Sequence, residues 1–198
     1  MTTKQKIIQV VGELFAEKGY MLSMSDISER VGIKVPSIYS HFESKDQIVY
    51  LAIEENLTDF NIFLKELYSK LQNESTECIL RGIYFGVIDY YSSYTKLKLY
   101  RNIDFIPDGL LYEKCKKLQK EYSKEQMSIL DRIFEEGYKK GEVKFRAEEG
   151  YQYLYLTMLR GILDGMITYS DEVEVRKVYE KKIWKIFWNS IKESGEQV

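Results

Sequence analysis

Residues 23–42 read SMSDISERVGIKVPSIYSHF and contain two short helical segments separated by a glycine. Ser23, followed three residues later by Asp26, has the spacing of a helix N-terminal cap, and Gly32 is placed to end that helix. Pro36 then suits the first turn of a second short helix. Two short helices joined by a tight turn are typical of a helix-turn-helix motif.

The second short helix, PSIYSHF, has a surface suited to reading DNA. Ile38 and Phe42 are four positions apart, so we expect both to face inward. The outward positions carry small or hydrogen-bonding side chains, which allow a helix backbone to come close to base edges in a major groove. These outward positions are Pro36, Ser37, Tyr39, Ser40 and His41.

Helical periodicity extends in both directions from this motif. Thr2 and Gln5 have capping-box spacing, and Gly19 ends the apolar stripe of a first helix. Ser44 and Gln47 mark the start of a long fourth helix. The pattern predicts a first helix between Thr2 and Gly19, then helices at 24–31, 36–42, 45–71, 77–91, a short helix ending near Asn102, and helices at 110–139, 148–169 and 172–192, the last capped by Asp171 and Glu174.

Turn-forming residues are too sparse for an all-β fold. The 198 residues include only 2 Pro and 12 Gly, whereas a sandwich or barrel needs a turn signal every few residues. With 44% hydrophobic and 30% charged residues, the composition is that of a folded globular chain. We therefore predict an all-α fold of about nine helices.

Charge and cysteine content narrow the class of protein. The net charge is −2, and residues 1–50 carry six basic and six acidic side chains, so any DNA binding must depend on where the basic groups lie. Cys78 and Cys115 lack disulfide or zinc-site spacing, which favours reduced thiols in the cytoplasm. No apolar stretch of ~18 residues occurs, so we expect no membrane partner.

The sequence contains no recognisable catalytic motif. His41 is the only histidine, which leaves no cluster of metal ligands. No nucleophile motif, zinc-protease motif or phosphate-binding glycine loop is present. We expect no catalytic residues, no metal and no cofactor.

Residues 7–53 resemble the TetR/AcrR family of bacterial transcriptional regulators. The matching segments are IIQVVGELFAEKGY, SMSDISERVGI and PSIYSHFESKDQIVYLAI. The resemblance implies a homodimer that binds operator DNA. It implies a helix-turn-helix DNA-binding domain over residues 1–48, with the motif at about 23–42, and an effector-binding and dimerisation domain over 49–198.

The resemblance also implies DNA-binding residues. Ser23 and Lys45 match phosphate-contacting positions, as do Tyr39 and His41, while Pro36, Ser37 and Ser40 match positions near base edges. Many relatives have Lys-Gly where this chain has Val35-Pro36, and an aromatic residue where it has Ser40, so the operator sequence does not carry over. The candidate set is Ser23, Ser25, Lys34, Val35, Pro36, Ser37, Tyr39, Ser40, His41 and Lys45.

Aromatic residues recur through the middle helices and suggest a pocket for a flat or hydrophobic effector. For any one of them the alternative is a plain core role. Asp89, in an otherwise apolar helix, is expected to be half-buried, where it could meet a cationic ligand or pair with Arg81 or Arg101. The candidate ligand residues are Phe60, Phe63, Tyr84, Phe85, Asp89, Tyr100, Phe105, Tyr112 and Tyr155.

The last two helices are candidates for a dimer interface. Gly161 and Gly165 are four positions apart, which would let another helix approach closely. Tyr179, Ile183 and Phe187 form part of an apolar stripe on the last helix. The alternative is that these residues form an intramolecular core.

The sequence therefore predicts a DNA-binding transcriptional regulator, with repression as the family's usual mode, released from a palindromic operator by a small hydrophobic or aromatic effector. The alternative keeps the fold but drops the effector, giving a DNA-bound architectural or protein-interaction factor.

Overall fold

The computed structural model describes residues 1–193. These residues contain an isolated β-bridge between Val143 and Lys192, and otherwise helices and turns. The prediction of an all-α chain of about nine helices is confirmed. The nine helices of the described residues are α1 (Thr3–Lys18), α2 (Met24–Val31), α3 (Val35–Tyr39), α4 (Lys45–Leu71), α5 (Thr76–Tyr90), α6 (Tyr94–Asn102), α7 (Leu110–Lys139), α8 (Tyr151–Thr168) and α9 (Val173–Ile191).

The helix starts near the N-terminus follow the predicted caps. The Gln5 amide donates to Thr2 Oγ1 at 3.3 Å, and the Thr2 amide donates back to the Gln5 side chain at 2.9 Å. Ser23 and Asp26 form the same reciprocal pair, which satisfies backbone N–H groups at the start of α2. Gly32, with φ of 80°, ends α2 in the left-handed conformation that favours glycine.

Two predicted helix boundaries were wrong. The helix predicted to reach Phe42 ends at Tyr39, because the amides of His41 and Phe42 both donate to the Ile38 carbonyl, at 3.0 and 3.1 Å, and close a tight turn. The helix predicted to begin at residue 148 begins at Tyr151, because Gly150 has φ of 85° and separates it from a short 3₁₀ turn.

The predicted cap of α9 was also wrong. α9 begins at Val173 after Glu172, which makes no capping hydrogen bond through its side chain. Glu174 instead accepts a hydrogen bond from Lys177 Nζ at 3.0 Å. An ion pair along the helix surface has replaced the expected contact with the backbone.

The chain divides into two compact units. The first comprises Met1–Ile62 and Ser93–Tyr122, and the second comprises Phe63–Ser92 and the described part of Ser123–Val198. The functional boundary at residue 48 stays a prediction.

In the first unit, α6 packs along α1. Ile7 and Phe15 of α1 are fully buried. A Cβ atom on Gly12 would lie 3.3 Å from Leu99 Cδ1, so a larger residue at position 12 would press on α6. Asn102, the last residue of α6, donates through its side-chain nitrogen to the Phe15 carbonyl at 2.7 Å. The Phe15 carbonyl also accepts from the Gly19 amide, so Asn102 supplies a second donor near the C-terminal end of α1.

In the second unit, aromatic side chains fill the core. The rings of Tyr84 and Trp184 lie 5.6 Å apart, and those of Tyr155 and Phe187 lie 5.5 Å apart. Centroid separations in this range favour attraction between aromatic rings. The sequence shows the aromatic excess, and the structure assigns these four residues to packing.

Candidate DNA-binding surface

The turn between α2 and α3 is tied by short-range hydrogen bonds. Ser28 Oγ donates to the Ile33 carbonyl at 2.7 Å, and the Gly32 amide donates to the Ser28 carbonyl at 3.0 Å. Ile38 and Phe42 are 0% and 3% exposed and anchor α3 to the first unit. The inward face predicted for this helix is confirmed.

The opposite face of α3 is open to solvent. Tyr39 is 52% exposed, and Ser40 Oγ donates to the Ser37 carbonyl at 2.8 Å, so the Ser40 hydroxyl hydrogen is committed within the turn. Val35 is half-buried. The other exposed side chains of this segment are Lys34, Pro36, Ser37, Ser40 and His41.

Within residues 1–193, two backbone amides at the start of α2 remain free to donate hydrogen bonds. The Ser23 hydroxyl accepts from the Asp26 amide at 3.1 Å and donates to Asp26 Oδ2 at 2.8 Å. The capping box therefore occupies the hydroxyl that was predicted to bind phosphate. The amides of Met24 and Ser25 lie outside this box and, with the helix dipole, suit an anion. A phosphate contact at this position stays a prediction, and the backbone amides beside Ser23 would make it.

Asp26 strengthens this arrangement. The Lys18 ammonium lies 2.6 Å from Asp26 Oδ1, and the Ser23 amide donates to Oδ2 at 2.7 Å. Lys18 first, and then the Ser23 amide and hydroxyl, lower the pKa of Asp26 from its usual 3.8 to about 2. The carboxylate is therefore ionised at neutral pH and holds the cap.

Lys45, predicted to neutralise a phosphate, is engaged by the chain itself. Its ammonium donates to the carbonyls of Tyr20 at 3.0 Å and Leu22 at 3.3 Å. The Tyr20 hydroxyl donates to Asp46 Oδ1 at 2.7 Å, and this bond raises the pKa of Tyr20. An ammonium has three donors, so Lys45 retains one for another acceptor.

The predicted ligand residues divide between the two units. Tyr84 and Tyr155 are fully buried, and their hydroxyls donate to the carbonyls of Glu180 and Leu80 at 3.1 and 2.7 Å. Phe105 is 75% exposed. Phe60, Tyr100, Phe105 and Tyr112 belong to the first unit, and Phe63, Tyr84, Phe85, Asp89 and Tyr155 belong to the second.

The half-buried position expected for Asp89 was wrong. Asp89 lies at the C-terminal end of α5 with its side chain exposed, and its carbonyl accepts from Ser92 Oγ at 2.6 Å. An exposed carboxylate is already solvated. Burial therefore gives no reason to assign it a ligand.

Two surface cavities lie within the first unit. One of about 510 Å³ is bounded by α1, α4 and α6 and contains none of the predicted ligand residues. Another of about 320 Å³ is lined in part by Asn102, Phe105 and Pro107. Of the predicted ligand residues, Phe105 alone lines either of these two cavities.

Of the residues predicted for the dimer interface, some are exposed and others are buried. A Cβ atom on Gly161 or Gly165 would meet nothing within 4 Å, and Tyr179 is 53% exposed. Phe187 is buried within the second unit, whereas its neighbour Ile186 is 66% exposed. The exposed apolar side chains of α8 and α9 are Tyr153, Leu154, Val173, Val175, Val178, Tyr179 and Ile186.

Residues 1–193 contain no helix with both the length and the hydropathy to cross a bilayer. Over the same range, no group of three or more His, Cys, Asp or Glu side chains is arranged to hold a metal ion.

Two short helices, α2 and α3, are joined by a tight turn, and α3 has one face exposed to solvent. This arrangement is that of a helix-turn-helix motif. The family model of bacterial regulatory proteins, tetR family, matches residues 7–50. Over this segment the chain is similar to the TetR family of bacterial regulatory proteins. That family consists of transcriptional regulators, and the match agrees with the prediction of a regulator and not an enzyme.

Curated relatives and a solved structure agree with this assignment. The chain is 32% identical over 108 residues to IcaR, the negative transcriptional regulator of the biofilm operon icaADBC in Staphylococcus epidermidis, which covers 54% of this chain and 56% of that protein. It is 28% identical to IcaR of Staphylococcus aureus strain Newman, covering 65% and 69%. The chain thus spans little more than half the length of the first of these relatives.

The whole fold also matches a solved structure. The transcriptional regulator FadR from Bacillus subtilis, in complex with stearoyl-CoA, superposes with a TM-score of 0.70 at 18% identity, covering 92% of this chain and 96% of that one. At this identity the likeness establishes the fold.

Proposed function

We propose that the chain is a homodimeric transcriptional repressor of the cytoplasm, which binds a palindromic operator in double-stranded DNA and is released by a small-molecule effector. The observation that carries the DNA-binding part is the division of α3 into two faces. Ile38 and Phe42 are buried, while Ser37, Tyr39 and His41 are exposed. A short helix anchored in this way can enter a major groove without disturbing the core.

The contacts with DNA are of two kinds. Pro36, Ser37 and Ser40 are small and lie on the open face of α3, where they would approach base edges. Lys34 and the backbone amides at the start of α2 would hold phosphates and set the register of the helix. Repression is favoured because both IcaR relatives are named as negative regulators.

An effector site in the second unit is supported by an unmet hydrogen-bonding requirement. Gln152 is 6% exposed, and its side-chain oxygen has no hydrogen-bond partner in the described residues. Asp131 Oδ1, in the same unit, is likewise buried without one. A buried acceptor left unpaired costs about 1–3 kcal/mol. We therefore propose an effector with an apolar or aromatic body and at least one hydrogen-bond donor.

The effector proposal can be tested with a matched pair of compounds. 2-Naphthol presents one hydroxyl donor on an aromatic body, and naphthalene presents the body alone. We expect 2-naphthol to raise the melting temperature more, and Gln152→Leu to remove the difference. Equal shifts from both compounds on the wild-type protein would contradict the need for a donor.

An effector differs from a compound that merely binds, because its binding is coupled to the binding of DNA. If the effector weakens operator binding by a certain factor, operator DNA must weaken effector binding by the same factor. Typical coupling free energies are about 1–3 kcal/mol. Calorimetric titration with and without DNA measures this factor. Identical affinities would exclude that compound as the effector.

The DNA-binding proposal is tested by selection. The purified protein is offered a random duplex library, and enriched sequences are compared with scrambled duplexes of the same composition. We expect an enriched motif and tighter binding to it. A protein that enriches nothing would refute the proposal, whereas enrichment with no effector coupling would favour the factor without a ligand.

A further inference from the structure

The basic side chains of the N-terminal segment differ in how they are engaged. Residues 1–50 contain six lysines and arginines, and four of them are held by groups of the chain itself. A cation already bound to a carboxylate or a carbonyl has fewer donors for DNA. The held cations are Lys18 with Asp26, Arg30 with Glu17, Lys6 with the Val31 carbonyl, and Lys45 with the Tyr20 and Leu22 carbonyls.

Lys4 and Lys34 are the two that remain. Within residues 1–193, neither ammonium contacts a carboxylate or a carbonyl oxygen. Lys34 immediately precedes α3 and is exposed, and its side chain makes no capping bond. Lys4 lies in the first turn of α1, also exposed, with Nζ 5.6 Å from the centroid of the Phe42 ring.

The contact with Phe42 places Lys4 at the far end of α3. Phe42 follows the last residue of α3 by three positions and is buried at 3% exposure, so it is a fixed point of the fold. A cation over an aromatic ring at an exposed site gains only about 0.5–1 kcal/mol. The contact therefore orients the Lys4 stem while its exposed ammonium stays open to solvent. Lys34 thus immediately precedes α3, and the Lys4 ammonium lies beside Phe42, three positions after the last residue of α3.

We propose that Lys4 contacts the DNA backbone, and that Lys4 and Lys34 bracket α3 between phosphates on the two sides of the major groove. The inference rests on the proposed DNA-binding function. A helix of five residues is about 7.5 Å long at 1.5 Å per residue, and the groove is roughly 12 Å wide. Long lysine side chains at the two ends of α3 supply the remaining reach.

This arrangement gives α1 a role beyond packing. The buried face of α1 carries Ile7 and Phe15, which fix the helix in the first unit. Lys4, on the first turn of the same rigid helix, therefore holds its charge in a fixed relation to α3. Backbone contacts of this kind position a recognition helix and carry no sequence information.

The test is the salt dependence of binding to the duplex that the wild-type protein enriches from a random library. Each neutralised phosphate contributes about 0.9 to the slope of log affinity against log salt. We expect Lys4→Gln to flatten the slope by about 0.9 per protomer, Lys34→Gln to do the same, and the double variant to show the sum. Base preference should not change in any of them.

Three further variants separate charge from folding. Lys4→Met keeps an apolar stem over Phe42 and should flatten the slope as Lys4→Gln does, whereas Lys4→Arg should retain it. Lys117→Gln removes the same charge from an exposed position on α7 of the first unit and should leave the slope unchanged. Thermal unfolding of each variant shows whether its fold is intact.

The outcomes distinguish this inference from the function on which it depends. If Lys4→Gln and Lys4→Met keep the wild-type slope, as Lys117→Gln does, the inference is overturned and DNA binding is untouched. Loss of the slope in Lys4→Arg as well would also overturn it, because charge would not be the cause. If the wild-type protein enriches no duplex, the proposed function fails, and the inference with it.

Discussion

The Lys45 ammonium lies 3.8 Å from the centroid of the Tyr20 ring and donates a hydrogen bond to the carbonyl of the same residue at 3.0 Å. The Tyr20 hydroxyl closes the arrangement by donating to Asp46. The first two residues of α4 thereby hold the turn that precedes α2. Lys45 therefore positions the N-terminal end of α2 in addition to carrying charge.

Removing Lys45 should affect stability as well as binding. Hydrogen bonds to charged groups contribute about 1.5–3 kcal/mol, so we expect Lys45→Ala to lower the free energy of unfolding by about 2 kcal/mol. It should also weaken binding to every DNA sequence. Urea unfolding and DNA titration measure the two effects. Lys34→Ala is the control and should weaken binding alone. Unchanged unfolding of Lys45→Ala would contradict the positioning role.

Ser37 and Ser40 should affect which bases are preferred. The Ser40 hydroxyl hydrogen is committed to the Ser37 carbonyl, so its oxygen can only accept and would select an adenine or cytosine amino group. We expect Ser40→Ala to reduce discrimination at one base pair by about 1 kcal/mol, the lower end of the range for a base contact. Selection experiments with each variant report this. Equal weakening on all duplexes would mean that these residues contact phosphate.

Gly165 should control assembly without affecting the fold. A side chain at this position would meet nothing within 4 Å in the single chain. We therefore expect Gly165→Leu to leave the fold of the single chain intact and to sediment as a monomer, because the side chain would hold a partner helix away. Analytical ultracentrifugation decides this.

Gly137 is the control, because a side chain at this glycine would clash within the single chain. A Cβ atom there would lie 2.6 Å from Thr76 Oγ1, so Gly137→Ala should lower the melting temperature through an internal clash.

A wild-type chain that sediments as a monomer at micromolar concentration would refute the proposed dimer interface. So would a Gly165→Leu variant that remains dimeric.

Asp26 should make stability depend on pH. Its pKa is lowered from 3.8 to about 2 in the folded chain, so the stabilisation is fully present above about pH 4 and is lost as the pH falls through about 2. We expect Asp26→Asn to melt below the wild-type temperature at neutral pH. The two curves should converge near pH 2. A constant difference down to that pH would show that the carboxylate charge is not responsible.

Local signals in the sequence predicted the N-terminal elements well. The Ser23–Asp26 pair and Gly32 act within one helical turn, so their spacing alone defines α2. Ile38 and Phe42 follow the four-residue period of an anchored helix face. Both signals depend on near neighbours in the chain, which a single sequence records directly.

Long-range contacts could not be predicted in this way. The carbonyls that hold Lys45 lie 25 and 23 residues away, and no periodicity indicates such a pairing. The exposed position of Asp89 depends on how its helix turns relative to the core, which an apolar stretch leaves open. Lys4 was missed for the same reason, since only the fold brings it to Phe42.

The most direct test of DNA recognition through α3 is a groove-specific footprint on the enriched duplex. We expect two protected major-groove patches related by two-fold symmetry, with centres about 34–36 Å apart or somewhat more. Protection should weaken at single base pairs in Ser37→Ala and Ser40→Ala. A single unpaired patch, or protection confined to the minor groove, would contradict recognition through α3.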